Sequence, residues 1–339
     1  MKIERINDWF ARRGKWMIQR RWLVLSLSIL VFAIGFTGLR YFKVSASWED
    51  YFLEDDPMLV KTEEFKDIFG NDNFAAVLTR CDNLFTKENL QLIRELTNEM
   101  MDSLSYADKI TSLTDIEFMV GSEEGMTIEQ IVPETIPSDP AQLEEIRHKA
   151  YLKPHVAERL VSKDGTLSWI ILKLRTFPED SVWNKGKNAV APEVLTGNEL
   201  DHIITKDKYQ KLHPKGTGLP YVTAMKMKWI SKEMPRVLGI ATLISILILL
   251  LVTRSFRGVV VPLVTAVGSI IIVYGMLGYV GMTIDSGMVM IPMLLTFAVS
   301  IAYNIHVYSY FKRQFLMHGK RTQAVEETVR EMGWPVLFS

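Results

Sequence analysis

The side chains best placed for chemistry lie in an apolar stretch toward the C-terminal end of the chain. Thr296, Ser300, Tyr303, His306 and Tyr310 recur at intervals of four, three, three and four, which puts them on one stripe of a helix, with Asn304 close by. Three readings fit this stripe. Hydroxyl and amide groups in an apolar setting bond across helix–helix contacts for roughly 0.6 kcal/mol each. His306 is also an ionisable group whose ordinary pKa lies near physiological pH, as a proton relay needs. Its depth weighs against that role, because it stands six residues before Lys312, about 9 Å from the helix end at the helical rise. The third reading is an ion or proton path completed by another part of a complex.

Other reactive groups are less organised. His202 and His213, with Asp201 and Asp207, carry metal-ligating atoms, but no pair has a recognised ligand spacing, so they read as solvated polar residues. Glu49, Asp50, Glu54, Asp55 and Asp56 lack the glycine and spacing of a calcium loop and read as a solvated connector. There is no glycine-rich phosphate loop and no nucleophile–base pair. The chain therefore reads as a non-enzyme with no cofactor and no resident metal. A net charge of zero gives no argument for nucleic acid, and the lone Cys81 excludes an intrachain disulfide.

The elements that must position the stripe are four apolar segments, predicted as spans at residues 22–42, 236–254, 259–283 and 286–311. Each is long enough to cross a hydrocarbon core of about 30 Å. Residues 43–235 form a polar insertion between the first span and the other three. Basic residues set the orientation. Residues 1–21 carry Lys2, Arg5, Arg12, Arg13, Lys15, Arg20 and Arg21 against Glu4 and Asp8; Arg254 and Arg257 follow the second span, and Lys312 and Arg313 the fourth. The connection near Asp285 has no basic residue. These charges predict a cytoplasmic N-terminus, an extracytoplasmic polar domain, and an inner loop between spans two and three. Val44-Ser45-Ala46 offers a small-residue cleavage site, but Arg40 and Lys43 intervene, so an uncleaved anchor is expected. Residues 312–333 are predicted as a cytoplasmic segment holding an amphipathic helix with Ala324, Val325, Thr328, Val329 and Met332 on one face.

The polar insertion reads as mixed α/β. Residues 74–80 suit a strand, and Thr86 can cap a helix whose Leu90, Ile93, Leu96, Met100 and Leu104 share one face. Residues 109–113 suit a second strand, and Ser138-Asp139-Pro140 marks a helix start. Lys163-Asp164-Gly165-Thr166 is a hairpin signal, after which Ile170, Leu172 and Leu174 alternate with Ile171, Lys173 and Arg175. A helical stretch over 193–212 and a strand over 218–223 complete a ferredoxin-like, split βαβ pattern. Residues 114–160 form an elaboration without an assigned place.

Trp48 to Pro57 and the stretch FKDIFGNDNF from Phe65 to Phe74 resemble the start of the outer domain of the resistance–nodulation–division (RND) superfamily, in its MMPL-type lipid exporters. Gly216 to Pro220, Phe256-Arg257-Gly258 with Pro262, and Ala302 to His306 followed by Tyr310 and Lys312 are similar to successive membrane-proximal segments of that family, in order along the chain. The resemblance implies a polytopic α-helical membrane protein with an extracytoplasmic α/β porter domain and a sterol-sensing-domain-like core. It further implies export of lipids or other hydrophobic molecules across the cell inner membrane, with membrane lipids around the spans. In proton-driven members an aspartate precedes the tyrosine matching Tyr303; here Ala302 stands there, and the proton-relay position is lost. That substitution favours a competing reading, a non-transporting lipid or sterol sensor or scaffold with an extracytoplasmic partner-binding domain. Residues 334–339 resemble the opening of a fifth helix, so the expectation is a truncated N-terminal repeat, completed by a second repeat or a homo-oligomer.

Overall fold

A computed structural model describes residues 3–45, 56–69, 73–122, 125–157, 159–178 and 190–338. The chain opens with α1 (Ile3–Gln19), α2 (Arg21–Gly38) and β1 (Lys43–Ser45). It continues through α3 (Pro57–Phe69), β2 (Phe74–Arg80), α4 (Lys87–Ser103), β3 (Ala107–Thr111), β4 (Glu117–Ser122) and β5 (Gly125–Gln130). Next come α5 (Pro140–Leu152), α6 (Pro154–Ala157), β6 (Leu167–Leu174), α7 (Pro192–Ile204), a 3-10 turn (Asp207–Leu212) and β7 (Lys215–Thr217). Last are α8 (Leu219–Thr253), α9 (Phe256–Val280), β8 (Thr283–Asp285), α10 (Met290–His318) and α11 (Arg321–Phe338). Two compact units result, a polar one over Ala46–Trp229 and a helical one made of Met1–Ser45 and Ile230–Ser339.

In the polar unit a four-stranded sheet has the order β3-β6-β2-β7, with every neighbouring pair antiparallel. Ala75, Ala76, Val77 and Thr79 of the central β2 are all buried, so both of its faces are covered. On β6 the alternation read from sequence holds: Ile170, Leu172 and Leu174 point into the core, and Lys173 is exposed. The Thr86 hydroxyl accepts the Asn89 backbone N–H at 3.2 Å, and α4 buries Leu90, Ile93, Leu96 and Met100 completely. Asp139 caps α5 in the same way, with Pro140 in the first turn. Gly165 takes the left-handed φ of +71° in its turn, where the Asp164 carboxylate accepts the Thr166 N–H at 3.2 Å.

Three sequence expectations change. β3 begins at Ala107 and carries an irregularity before Lys109. The expected strand over 218–223 is instead the start of α8: β7 ends at Thr217, Gly218 turns at φ +102°, and Pro220 sits in the first helical turn. The helix expected over 193–212 ends at Ile204 and gives way to the 3-10 turn. The elaboration over 114–160 becomes the β4–β5 hairpin followed by α5 and α6.

Glu99 of α4 braces this unit. Its carboxylate accepts Lys206 Nζ, Lys208 Nζ at 2.6 Å and Tyr209 Oη at 2.6 Å, tying α4 to the 3-10 turn. Burial opposes a charge on Glu99, but the three hydrogen bonds outweigh it and hold the carboxyl at about 2. Burial, with the carboxylate beside it, pushes the Tyr209 phenol up to about 12.

Among the described residues four helices are long and apolar enough to cross a membrane, Arg21–Gly38, Leu219–Thr253, Phe256–Val280 and Met290–His318, the second of which begins within the polar unit. α2 and α9 meet backbone to backbone. A Cβ on Gly275 would lie 2.6 Å from the Gly35 carbonyl carbon, and one on Gly38 would lie 2.7 Å from the Gly275 carbonyl carbon. Gly278 is held as closely, 2.8 Å from the Phe42 nitrogen by the same measure. Hydrogen bonds and rings lock the contact from the side. Thr37 and Tyr279 hydroxyls are 2.7 Å apart, Phe42 meets Tyr274 edge-on, and Tyr274 Oη donates to Val289 O at 2.6 Å. β1 and β8 then pair in parallel, joining the residues after α2 to the connection between α9 and α10.

Helix ends differ from the hydropathy windows because backbone hydrogen bonds, not polarity, decide where a helix stops. α8 starts at Leu219, well before residue 236. α9 stops at Gly281, which has φ +78°. α10 starts at Met290, because the Asp285 carboxylate accepts the Gly287 N–H at 2.8 Å and holds a turn there; it runs past Lys312 to His318. α11 is continuous across residues 333 and 334, with no break between an amphipathic helix and a new span. α1 is an element the sequence reading did not assign. Its Phe10 and Gly14 pack on α11, where a Cβ on Gly333 would lie 2.7 Å from Phe10 Cγ.

Gly275→Ala is expected to destabilise the helical unit by about 1–3 kcal/mol, because the Cβ must force two backbones apart. Gly239→Ala, which meets nothing within 4 Å, is the control expected to be neutral; thermal unfolding of the detergent-solubilised protein compares them. Glu99→Gln should cost the polar unit about 1–2 kcal/mol at neutral pH, discounted for the half-exposed lysines. Since the folded carboxyl lies below its ordinary value, that difference should be lost as pH falls from about 4.5 toward 2. Near-UV circular dichroism across that window measures it.

Candidate functional site

α10 takes its place through its apolar face. Phe297 and Ile301 are buried against Leu249 of α8 and Val259 and Ala266 of α9, with Ile305 packed beside them. One turn further on, Asn304 faces the same neighbours. Its Nδ2 donates to Thr265 Oγ1 at 2.8 Å and to Ser300 O at 2.8 Å. Thr265 passes its own hydroxyl hydrogen to the Pro262 carbonyl at 2.9 Å, and the Val261 carbonyl lies at 3.1 Å. A closed chain of neutral hydrogen bonds thus joins α9 and α10.

The structure divides the stripe rather than gathering it. Asn304 lies at the helix contact, Thr296, Ser300, Tyr303 and Tyr310 are half-buried, and His306 and Ala302 are exposed. Thr265, the partner of Asn304, was missed from sequence. Its only local signal is a hydroxyl three residues after Pro262, and nothing in the sequence sets the register of α9 against α10.

A cavity of about 230 Å³ opens beside this contact, lined by Val261, Pro262, Asn304, Val307, Tyr308 and Phe311, with Val325, Thr328 and Val329 of α11 closing it. The lining contains no carboxylate, lysine or arginine. Such a site can hold an apolar chain and offer it an amide and hydroxyls; it holds no strong acid or base. At the helix ends, Lys312 Nζ donates to the Thr253 carbonyl at 3.3 Å, placing a cation on the C-terminus of α8, where the helix dipole favours it. The turn between α8 and α9 depends on Gly258, where a Cβ would lie 2.5 Å from Thr253 Cβ.

The polar unit keeps its candidate ligands apart. Asp201 binds Lys228 Nζ at 2.8 Å, Asp207 is exposed, and His213 sits in a left-handed turn at φ 42°. His202 lines an open cavity of about 450 Å³ with Ser103, Asn198, Glu199 and Lys206. There Glu199 is taken up by the Ser105 N–H at 2.9 Å and by the Ser105 hydroxyl at 2.5 Å. No group of three or more His, Cys, Asp or Glu side chains comes together among the described residues. Of the acidic connector, Glu49, Asp50, Glu54 and Asp55 lie outside the described residues, while Asp56 caps the start of α3 by accepting the Met58 N–H at 2.8 Å.

Comparison with known proteins bears on the whole arrangement. No curated protein matches the chain. The model of the MMPL family matches residues 58–339, which takes in most of the polar unit and all three later spans. With four membrane-spanning candidates and that match over most of its length, the chain belongs to the MMPL family, multi-pass membrane transporters of the RND superfamily.

Proposed function

We propose that this chain moves lipids or other hydrophobic molecules outward across the inner membrane, with the polar unit as its extracytoplasmic porter domain. The observation that carries the reading is the family match, since it spans the polar and helical units together. The four-stranded antiparallel sheet, built in the order strand–helix–strand, strand–helix–strand, supports a ferredoxin-like porter domain. Arg254, Arg257, Lys312 and Arg313 beside the helix ends support an inner location for those ends, and so an outer one for the polar unit. The apolar cavity beside Asn304 suits a hydrocarbon chain.

The motive force in this reading is not a proton carried by α10. Residues 286–311 contain no Asp, Glu, Lys or Arg, and a relay inside a membrane needs a group that gains and loses charge. His306 is such a group, but it stands only six residues before Lys312, about 9 Å from that cation along the helix. Substituting Ala302→Asp should therefore leave the export rate unchanged; a large gain would mean that a lost carboxylate is what limits transport.

The same observation favours one alternative, a lipid or sterol sensor that binds without transporting. A deletion strain separates the two. Export predicts that a lipid-extractable compound builds up in the inner membrane of the deletion strain and clears when the intact gene returns. A membrane lipid profile identical to the parent strain would favour the sensor.

A further inference from the structure

The outer face of α1 carries a pattern that the transport reading does not use. Arg5, Trp9, Arg12, Arg13, Trp16 and Arg20 fall on one side of this helix and its last turn, and all six are exposed. Trp9 keeps 44% and Trp16 40% of their surface open, large values for indoles on an ordered helix. Packing does not explain them, because the opposite side, Phe10 and Gly14, is what meets α11. The Arg13 guanidinium stacks over the Trp9 ring at 4.9 Å, and Trp9 meets Phe10 edge-on. The acid nearest this face, Asp8, is drawn aside by Arg330 of α11 at 3.4 Å.

We infer that this face binds anionic phospholipid headgroups of the leaflet beside the N-terminal end of α2. The proposal rests on α2 being a membrane span, not on what the protein transports. Charge complementarity selects the ligand: four guanidiniums with no ion pair to a carboxylate among the described residues offer forked donors to phosphate oxygens. The indoles select the place, since tryptophan settles where an apolar body and a polar tip can both be satisfied, at the headgroup level. Position agrees. Arg20 alone separates α1 from α2; its φ of −111° and ψ of 34° break the helical path there, while the backbone hydrogen bonds Arg20 N to Trp16 O and Val24 N to Arg20 O keep the two helices joined without a loop. A helix joined to a span without a loop keeps its last turn, with Trp16 and Arg20, at the end of that span. A zwitterionic surface would satisfy the indoles but leave the guanidiniums without a net negative surface to attract them.

The test uses the full chain in vesicles of mixed phosphatidylcholine and phosphatidylglycerol. Bromine is placed near the headgroup on one lipid or the other at constant overall composition, and quenching of tryptophan emission is read. Quenching should be greater, by about twofold at low salt, when phosphatidylglycerol carries the bromine, and the excess should shrink at high salt. Trp9→Phe with Trp16→Phe should remove the excess, which assigns it to α1. Arg5→Gln, Arg12→Gln, Arg13→Gln and Arg20→Gln together should remove it while leaving quenching by brominated phosphatidylcholine in place. Equal quenching by the two lipids in the unaltered protein would overturn the proposal. An excess that survives the tryptophan substitutions would do the same, by placing the lipid elsewhere. If the arginine variant does not fold, the salt dependence of the unaltered protein decides. Weak quenching by both lipids, with no loss on substituting Trp9 and Trp16, would overturn it too, by showing that a second copy or another protein covers the face.

Discussion

The helical unit depends on one contact, the approach of Gly35 and Gly38 to Gly275 and Gly278. In a hydrocarbon solvent two apolar helices gain nothing by hiding apolar surface from each other, so association rests on close packing and on hydrogen bonds. Four glycines at helical spacing let the α2 and α9 backbones touch, and that approach brings secondary groups within reach. Thr37 can meet Tyr279 only at this separation, and Phe42 can meet Tyr274 only if the chain leaves α2 at this height. Tyr274 then reaches the Val289 carbonyl just before α10, and the β1–β8 pair closes the same end. A side chain at any of these glycines would disturb the position of α10 as well as its own helix pair.

The second contact, Asn304 with Thr265, works by a different rule. An amide in an apolar interior is costly unless its donors are used, and both of the acceptors seen here are neutral. The result fixes register between α9 and α10 without storing charge. The polar unit uses the opposite strategy. Glu99 is a charge held in a mostly buried place by two ammonium groups and a phenol, an arrangement that water at its rim makes affordable. A similar ionic cluster inside the spans would need every partner fully satisfied, and α10 carries no acid with which to build one.

What was legible in the sequence was local. The Thr86 cap with its buried Leu90, Ile93, Leu96 and Met100, the Asp139-Pro140 helix start, and the alternation along β6 are encoded within a few residues, and each appears as read. What depends on a distant partner was not legible. Gly268, Gly275, Gly278 and Gly281 look alike on paper. Only the middle two meet the α2 backbone; Gly268 meets the Phe32 ring of α2 at an ordinary 3.6 Å and Gly281 ends its helix in open space. The polar stripe of α10 shows the same limit, since helical spacing says which residues share a face but not which face meets a neighbour. α1 was hidden by its charges. Its arginines read only as a topology signal, although Ile6, Phe10, Gly14 and Met17 recur at helical spacing on the opposite face and make the segment an amphipathic helix.

The pairing of α1 with α11 has a mechanical consequence within the helical unit. α1 leads directly into α2, and α11 follows α10 after the Gly319 turn. The first span and the last are therefore joined at one end by a helix pair, and α2 and α10 are linked toward the other end through α9 and the β1–β8 strands. Phe10 against Gly333 and Gly14 against Val329 are close contacts between ridges that resist sliding, because cores of this density have few intermediate packings. The Asp8–Arg330 ion pair adds a weaker, exposed tie. Any rocking of α10 against α2 must then carry α1 and α11 along as one piece or separate them. Carrying them along keeps the small-residue contacts intact, so the geometry favours motion in which the helix pair moves with its spans.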